Sequence, residues 1–297
     1  MVLAPQAEPA GAVPPDGLED AYRWCRDFAR AHEENFTMIS WLLPHAIRPH
    51  FAALYTFCRM TDDLGDEASG DRLALLDEWE RQLRDCFAGQ RATPAFIALG
   101  GTVDRFEIPA EPFLRLIEAN RIDQRKTRFE TYDELLEYCS FSAAPVGRMV
   151  LYVLGYRDDA RQRLADATCI ALQLTNFWQD VTVDREKGRI YLPLEDMERF
   201  GVGESDLNAT RATAPVQALL RFEVERARAL FREGEALEPM VDRRSRLDVR
   251  LFRLGGEATL HAIEAAEYDV LRARPKVSKQ RKAWMALSNG VRLKLGI

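Results

Sequence analysis

Cysteine is scarce and scattered in this sequence. Five are present (Cys25, Cys58, Cys86, Cys139 and Cys169), with no C-x-x-C pair. An odd, dispersed set excludes a disulfide scaffold and suits small buried thiols in a reducing cytoplasm. Histidine is scarcer still: His32, His45, His50 and His261 show no zinc-ligand spacing. No apolar run reaches the roughly 18 residues of a membrane span, so if the substrate is a lipid, contact with the membrane must be peripheral. Residues 1–17, rich in Ala and Pro, lack the basic start and apolar core of a signal peptide and are expected to form an unstructured tail. Dinucleotide fingerprints are also missing, because Gly100-Gly101, Gly201-Val202-Gly203 and Gly255-Gly256 lack the spacing and strand context. Walker A and G-x-S-x-G motifs are absent too. Positive charge is short: 41 Lys and Arg stand against 47 Asp and Glu, giving a net charge of −6 and a pI near 5.5. That balance argues against a nucleic-acid partner.

What is present is a globular, helical pattern. Hydrophobic residues make up 47% and charged residues 30% of 297, ordinary for a folded protein long enough to bury a sizeable core. No Gly/Ser/Pro-rich linker divides the chain after its start, which predicts one domain over 18–297. The 3.6-residue period predicts helices near 18–33, 48–67, 72–88, 94–105, 110–122, 131–154, 159–184, 211–238, 243–273 and 278–293. Asp71 suits an N-cap and Gly89 a stop. Thr131 and Glu134 have capping-box spacing, and Pro145 predicts a kink or break. Strand-type alternation is scarce, with 189–192 the weak candidate. The fold class expected is all-α, a bundle around a central apolar cavity.

Two acidic stripes stand out within that pattern. Tyr55, Arg59, Asp62 and Asp66 follow one another at spacings of four, three and four; Gln173, Asn176, Asp180 and Asp184 at three, four and four. Each set lies down one helix face. Phe51, Leu54 and Phe57 flank the first, and Ile170, Leu172, Leu174, Phe177 and Trp178 the second. An i,i+4 Asp pair is common on solvated helices, but carboxylates among apolar residues are costly unless a partner offsets their charge. Two such stripes facing each other across a cavity would need cations between them. Mg2+ suits, since it takes one or two carboxylates and completes its shell with water and phosphate oxygens. The second stripe runs into a basic turn, Arg185-Glu186-Lys187-Gly188-Arg189-Ile190-Tyr191, placed to counter a diphosphate.

Residues 55–67 and 173–193 resemble the two signature regions of the squalene and phytoene synthases, and the resemblance extends from about Ala21 to Lys282, including Asp196-Met197-Glu198-Arg199-Phe200-Gly201-Val202. It implies a single all-α isoprenoid-synthase fold working on isoprenoid diphosphates with Mg2+. Carried over by position, it implies Asp62, Asp66, Asn176, Asp180 and Asp184 as metal ligands. Tyr55, Arg59 and Gln173 match positions on the diphosphate or the cavity wall, Tyr138 another cavity position, and Arg274 a late basic residue near the diphosphate. Lys187, Arg189 and Tyr191 join the substrate-binding set through the basic turn, as do Asn35 and Phe36 through the early segment. The partners implied are an isoprenoid diphosphate, a peripheral contact at the inner face of the membrane, and other squalene-pathway enzymes around a cytoplasmic protein.

Departures from the family pattern narrow the reading. His32-Glu33-Glu34-Asn35-Phe36 stands where many members have a Ser-rich segment, Gln179 where Arg is common before the motif Asp, and Gly255-Gly256 near an expected late Tyr. These features resemble the hydroxysqualene synthase branch of bacterial hopanoid pathways. The implied reaction converts presqualene diphosphate and water to hydroxysqualene and diphosphate, without NADPH. The faces of Tyr55, Tyr138, Phe36 and Trp178 are candidates to steady the intermediate cation, although aromatics chiefly fill interiors and Trp178 points off the Asp face. Glu34, Glu67 and Gln179 are candidates to position the water. Two alternatives stand beside this: condensation of two farnesyl diphosphates to squalene, or two geranylgeranyl diphosphates to phytoene, and a non-catalytic helical assembly protein.

Overall fold

The computed structural model of the chain describes residues 17–32 and 44–278. Among these every regular element is helical. The chain divides into two compact units, one made of residues up to Arg125 with Arg148–Arg157, the other of Lys126–Gly147 with Asp158 onward.

The first unit contains α1 (Leu18–His32), α2 (Arg48–Asp66), α3 (Arg72–Phe87), α4 (Pro94–Phe106), α5 (Glu111–Asp123) and the end of α7 (Ala144–Leu154). Helix starts follow local chemistry. Asp71 accepts a bond from the Ala74 N–H at 3.1 Å, and Thr93 one from Phe96, each satisfying a backbone donor that the first turn leaves over. Pro49, Pro94 and Pro112 sit in first turns, where a missing N–H costs nothing. α2 runs through the middle, packed by α1, α3, α4 and α5. Its inner face brings Phe51, Leu54 and Phe57 against Trp79, Phe96 and Phe113, each buried ring stabilising the unit by about 1.5–3 kcal/mol. The one polar edge of that cluster is satisfied: the Trp79 indole donates to Thr61 Oγ1 at 2.9 Å.

The second unit contains α6 (Tyr132–Ser142), the start of α7, α8 (Asp159–Gln179), α9 (Val181–Glu186), α10 (Leu194–Arg199), α11 (Ala214–Gly234) and α12 (Arg243–Ala265), with 3-10 turns at Glu204–Asn208 and Glu235–Met240. α11 and α12 both pack on α8. Leu174, Trp178, Leu219, Leu220, Val224, Phe231, Leu260 and Ile263 are buried in its core.

Several boundaries differ from expectation. The helix expected over 131–154 is interrupted at Ala143, two residues before Pro145, as that proline predicts. The helix expected over 159–184 stops at Gln179 and restarts at Val181, because Asp180 leaves helical geometry (φ −106°, ψ 18°). The helices expected over 211–238 and 243–273 end at Gly234 and Ala265. Past the second, Glu267 and Tyr268 take positive φ, a conformation that ends a helix. Thr131 caps the Glu134 N–H, but Glu134 returns its bond to the N–H of Glu130, one residue before the expected partner. Residues 189–192 form no strand. The unstructured tail, the helix near 278–293 and the segment from Glu33 to Phe36, with Glu34, Asn35 and Phe36, lie outside the described residues.

The thiols are held as apolar filler. Cys25, Cys86 and Cys139 are buried, and none of the five forms a disulfide. Burial pushes Cys25 and Cys169 up to about 12 and raises Cys58 and Cys86 as well.

The Gly255-Gly256 pair separates cleanly. A methyl at Gly256 would lie 2.7 Å from Leu172 Cδ2 and closer still to the Phe231 ring, whereas one at Gly255 would meet nothing within 4 Å. Gly256→Ala is therefore expected to destabilise by about 1–3 kcal/mol through overpacking. Gly255→Ala is expected to be neutral or slightly stabilising. Parallel thermal melts of the two variants check this, and equal melting temperatures would remove the packing argument.

Candidate active site

In the first unit the acidic stripe lies on the last turns of α2. Asp62 is open to solvent, yet its carboxyl is pushed up to about 7. Desolvation by the surrounding protein is the main cause, and the Asp66 charge raises it further. Both observations fit a side chain set in the wall of a recess, reached by water from one side. Asn120 of α5 donates to Asp62 Oδ1 at 3.4 Å and to the Leu116 carbonyl at 3.2 Å. That approach requires Gly65, where a methyl would collide with the Asn120 side chain. Arg59 turns to Asp63, one turn on, with its Nη2 2.6 Å from Oδ1. Tyr55 is half-buried on the same helix.

In the second unit the stripe survives the break at Asp180. The Asp180 N–H donates to the Asn176 carbonyl at 2.8 Å and the Asp184 N–H to the Asp180 carbonyl at 2.9 Å. Four-residue register thus carries through the bend. Asn176 is exposed, while Gln173, Asp180 and Asp184 are half-buried. The basic turn closes back on this stripe, since the Arg189 N–H bonds the Asp184 carbonyl at 2.9 Å and Gly188 takes φ +77°. Asp184, Arg189 and Tyr191 then line a small recess with Phe177 and Val181, with room for about one water. Lys187 is exposed at the tip of the turn. Arg274 clasps Asp180 with two bonds, Nε to Oδ1 and Nη2 to Oδ2, the latter 2.7 Å. Asp184 adds to the field on the same guanidinium.

An aromatic cluster adjoins that recess. Tyr191 stacks on Phe177 at 3.8 Å and an interplanar angle of 9°, with Tyr138 and Phe129 rings at 5.9 and 5.8 Å. Such faces carry the negative side of the ring quadrupole and attract a cation. Trp178 is fully buried, and its indole N–H has no acceptor among the described residues.

The structure thus brings Asp62 and Asp66 together on one helix with Tyr55 and Arg59. It also gathers Gln173, Asn176, Asp180, Asp184, Arg189, Tyr191, Arg274 and Tyr138 within the second unit. Three contributors escaped the sequence reading: Asn120 on Asp62, Phe129 in the aromatic cluster, and the two bonds of Gln179. The first two carry no local signal. Gln179 was visible as a departure from the family pattern, but its partners lie 95 and 96 residues away.

Among the described residues no three His, Cys, Asp or Glu side chains converge to cage an ion unaided. The oxygens come instead as short rows, Asp62 with Asp66, and Asn176 with Asp180 and Asp184. Rows of this kind fit Mg2+, which leaves most of its shell to water and phosphate. Arg274 already sets one cation on the Asp180 carboxylate. No helix among the described residues is long and apolar enough to cross a membrane.

The squalene/phytoene synthase family profile matches residues 29–281. The 15-cis-phytoene synthase of Synechocystis sp. is 36% identical over 296 residues, 95% of this chain and 88% of that protein. Phytoene synthase 3 of Zea mays is 35% identical, covering 94% of this chain and 68% of its own length. Among solved structures, squalene synthase HpnC from Alicyclobacillus acidocaldarius is 50% identical with a TM-score of 0.82, covering 84% of this chain and 95% of that one. A dehydrosqualene synthase in complex with a ligand reaches a TM-score of 0.87 at 29% identity, over 94% of this chain and 98% of its own. An all-α chain with two acidic helical stripes, matched over most of its length, belongs to the squalene/phytoene synthase family of isoprenoid-synthesis enzymes.

Proposed function

We propose that the enzyme converts presqualene diphosphate and water to hydroxysqualene and diphosphate. The 50% identity to squalene synthase HpnC over 84% of the chain, against 36% for the phytoene synthase of Synechocystis sp., supports the squalene branch. The choice of hydroxysqualene within it rests on the departures from the family pattern. Gln179, in place of a common Arg, and the Gly255-Gly256 pair support it.

Within the first unit Asp62 and Asp66, and within the second Asn176, Asp180 and Asp184, are the residues that would hold Mg2+. When bound, the metal supplies Lewis-acid neutralisation of the departing diphosphate. The side chains of Lys187, Arg189 and Arg274 add fixed positive charge to the same oxygens, stabilising negative charge as it develops. Breaking the C–O bond leaves both bonding electrons on diphosphate and a carbocation on the lipid. The faces of Tyr191, Phe177 and Tyr138 stabilise that cation and keep bulk water away from it. Water adds to the rearranged cation, and its surplus proton leaves with the diphosphate or to solvent. No hydride is consumed, so NADPH has no part in the balance.

Purified protein given presqualene diphosphate and Mg2+ without NADPH is expected to release one diphosphate per alcohol formed, with the hydroxyl oxygen drawn from labelled water. Absence of the alcohol would overturn the proposal. A second reading has its own support: the phytoene synthase relatives favour condensation of two geranylgeranyl diphosphates. Phytoene from that substrate, with presqualene diphosphate untouched, would select it; squalene from farnesyl diphosphate with NADPH would select the complete squalene reaction.

A further inference from the structure

Gln179 sits in a position that ties three groups together. Its side chain is buried, 7% exposed. Its Nε2 donates to the Pro275 carbonyl, and its Oε1 accepts from Arg274 Nη2 at 3.3 Å. The same Nη2 reaches Asp180 Oδ2 at 2.7 Å while Nε takes Oδ1. Both ends of one amide therefore hold a segment nearly a hundred residues away, and both oxygens of Asp180 are taken by one guanidinium. A planar fork on a carboxylate is among the stronger ion pairs available to a protein. The fork fills one lone-pair site on each oxygen and sets a positive charge beside both, which opposes a divalent cation while it is in place.

We propose that Arg274 is an internal counter-ion that closes Asp180 until a divalent cation arrives, and that Gln179 is the positioning residue that keeps it there. Metal binding then frees the guanidinium for an anion, so cation entry and anion capture become one exchange. Three features of this chain support it. Arg274 is exposed enough to leave, with 44% of its side chain accessible. Gln179 is neutral, so it can orient the guanidinium without competing for it as a second carboxylate would. Its bond to the Pro275 carbonyl fixes the backbone rather than the charge, so the segment stays docked through the exchange. The inference rests on Asp180 as a metal ligand, as proposed above, but on no particular substrate or product.

The test uses the full chain, Mg2+ and inorganic diphosphate, with no lipid. Mg2+ affinity is measured by calorimetry, and hydrogen exchange is followed in the 270–278 segment. In the wild type, Mg2+ with diphosphate is expected to alter exchange across that segment. Gln179→Ala is expected to raise its exchange before any metal is added. Because the counter-ion is then held less firmly, Mg2+ should bind about tenfold more tightly, the worth of one hydrogen bond to a charged group. Arg274→Gln, a change at an exposed side chain that keeps the fold within reach, should also tighten Mg2+ while weakening diphosphate. Gln179→Glu loses the donor to Pro275 and sets a second carboxylate in competition for Arg274, so it should also bind Mg2+ more tightly than the wild type, with raised exchange in the segment. Unchanged Mg2+ affinity in both Gln179→Ala and Arg274→Gln would overturn the counter-ion role. Loss of Mg2+ affinity in both variants would overturn it too. Mg2+ binding that Asp180→Asn leaves untouched would remove the metal assignment and this inference together. A wild type that binds Mg2+ through Asp180 but makes no hydroxysqualene would count against the proposed reaction alone.

Discussion

Asp62→Asn is expected to lower Mg2+-dependent diphosphate release by about two to three orders of magnitude while leaving the fold intact. The size follows from removing a fixed charge that acts where negative charge develops or where its metal is held, a loss of about 10²–10³ in turnover for one such group. Fold retention follows from Asp62 itself, which is solvent-exposed and, among the described residues, accepts one side-chain bond, the 3.4 Å contact with Asn120. The pH dependence has a definite sign. A carboxyl raised from 3.8 to about 7 contributes stability that is present below its unfolded pKa and is lost as pH rises through the folded one. Without metal, the wild type should thus lose stability between about pH 4 and pH 7, and the amide variant should lose less over that window. Added Mg2+ should restore the wild type and do less for Asp62→Asn. Steady-state diphosphate release and melts at pH 5 and 8, with and without Mg2+, check both halves. A variant keeping a tenth or more of wild-type turnover would remove Asp62 from the metal-binding set.

Arg226→Ala is expected to produce the largest loss of stability, and one that grows with pH. Asp196 is 2% and Glu223 0% exposed, and Arg226 Nη1 serves both, at 2.6 Å from Asp196 Oδ2 and 3.4 Å from Glu223 Oε1. Its guanidinium also lies over the Tyr132 and Phe222 rings, at 4.1 and 4.2 Å. Removing one partner of a buried charge pair costs about 3–5 kcal/mol, and the lower end applies because Arg226 keeps some exposure. For a protein of this size that is roughly 6–12 °C in melting temperature. Glu223 gives the sign of the pH effect. Burial above all, with Asp196 adding like charge, pushes its carboxyl up to about 8, against the lowering by Arg226. Its contribution to stability is therefore present at pH 4 and is lost as pH rises through 8. Without Arg226 that pKa climbs further. The variant should sit nearer the wild type at pH 6, where Glu223 carries its proton, than at pH 9. Thermal melts at the two pH values check this; a loss that is the same at both would show that packing on Tyr132 and Phe222, rather than charge, is what Arg226 supplies.

The parts of the molecule legible in the sequence are those made by neighbours along a helix. The stripes Asp62–Asp66 and Asn176–Asp180–Asp184, the Asp71 and Thr131 caps and the interruption near Pro145 all depend on residues within four positions of each other, where helical geometry fixes the distance. The all-α class follows from the same periodicity. Contacts that close long loops were illegible. Asn120 reaches Asp62 across 58 residues, Arg226 reaches Asp196 across 30, and Gln179 reaches Pro275 across 96. Nothing in local spacing encodes those distances. The bend at Asp180 belongs to the same class, since it falls where Gln179 and Asp180 are tied to the distant Arg274 segment. Gly256 was noticed as a missing tyrosine, and its physical role, room for Phe231 and Leu172, emerged only from packing.

The native thiols carry a practical consequence for work on this enzyme. Thiolate is the form that attacks maleimides and disulfides, and burial keeps Cys25, Cys58, Cys86 and Cys169 in the unreactive protonated form, while Cys139 is wholly enclosed. A cysteine introduced at an exposed position would have the free-solution pKa and the field to itself, so a fluorophore or spin label can be attached to the folded enzyme without first stripping out its own sulfhydryls.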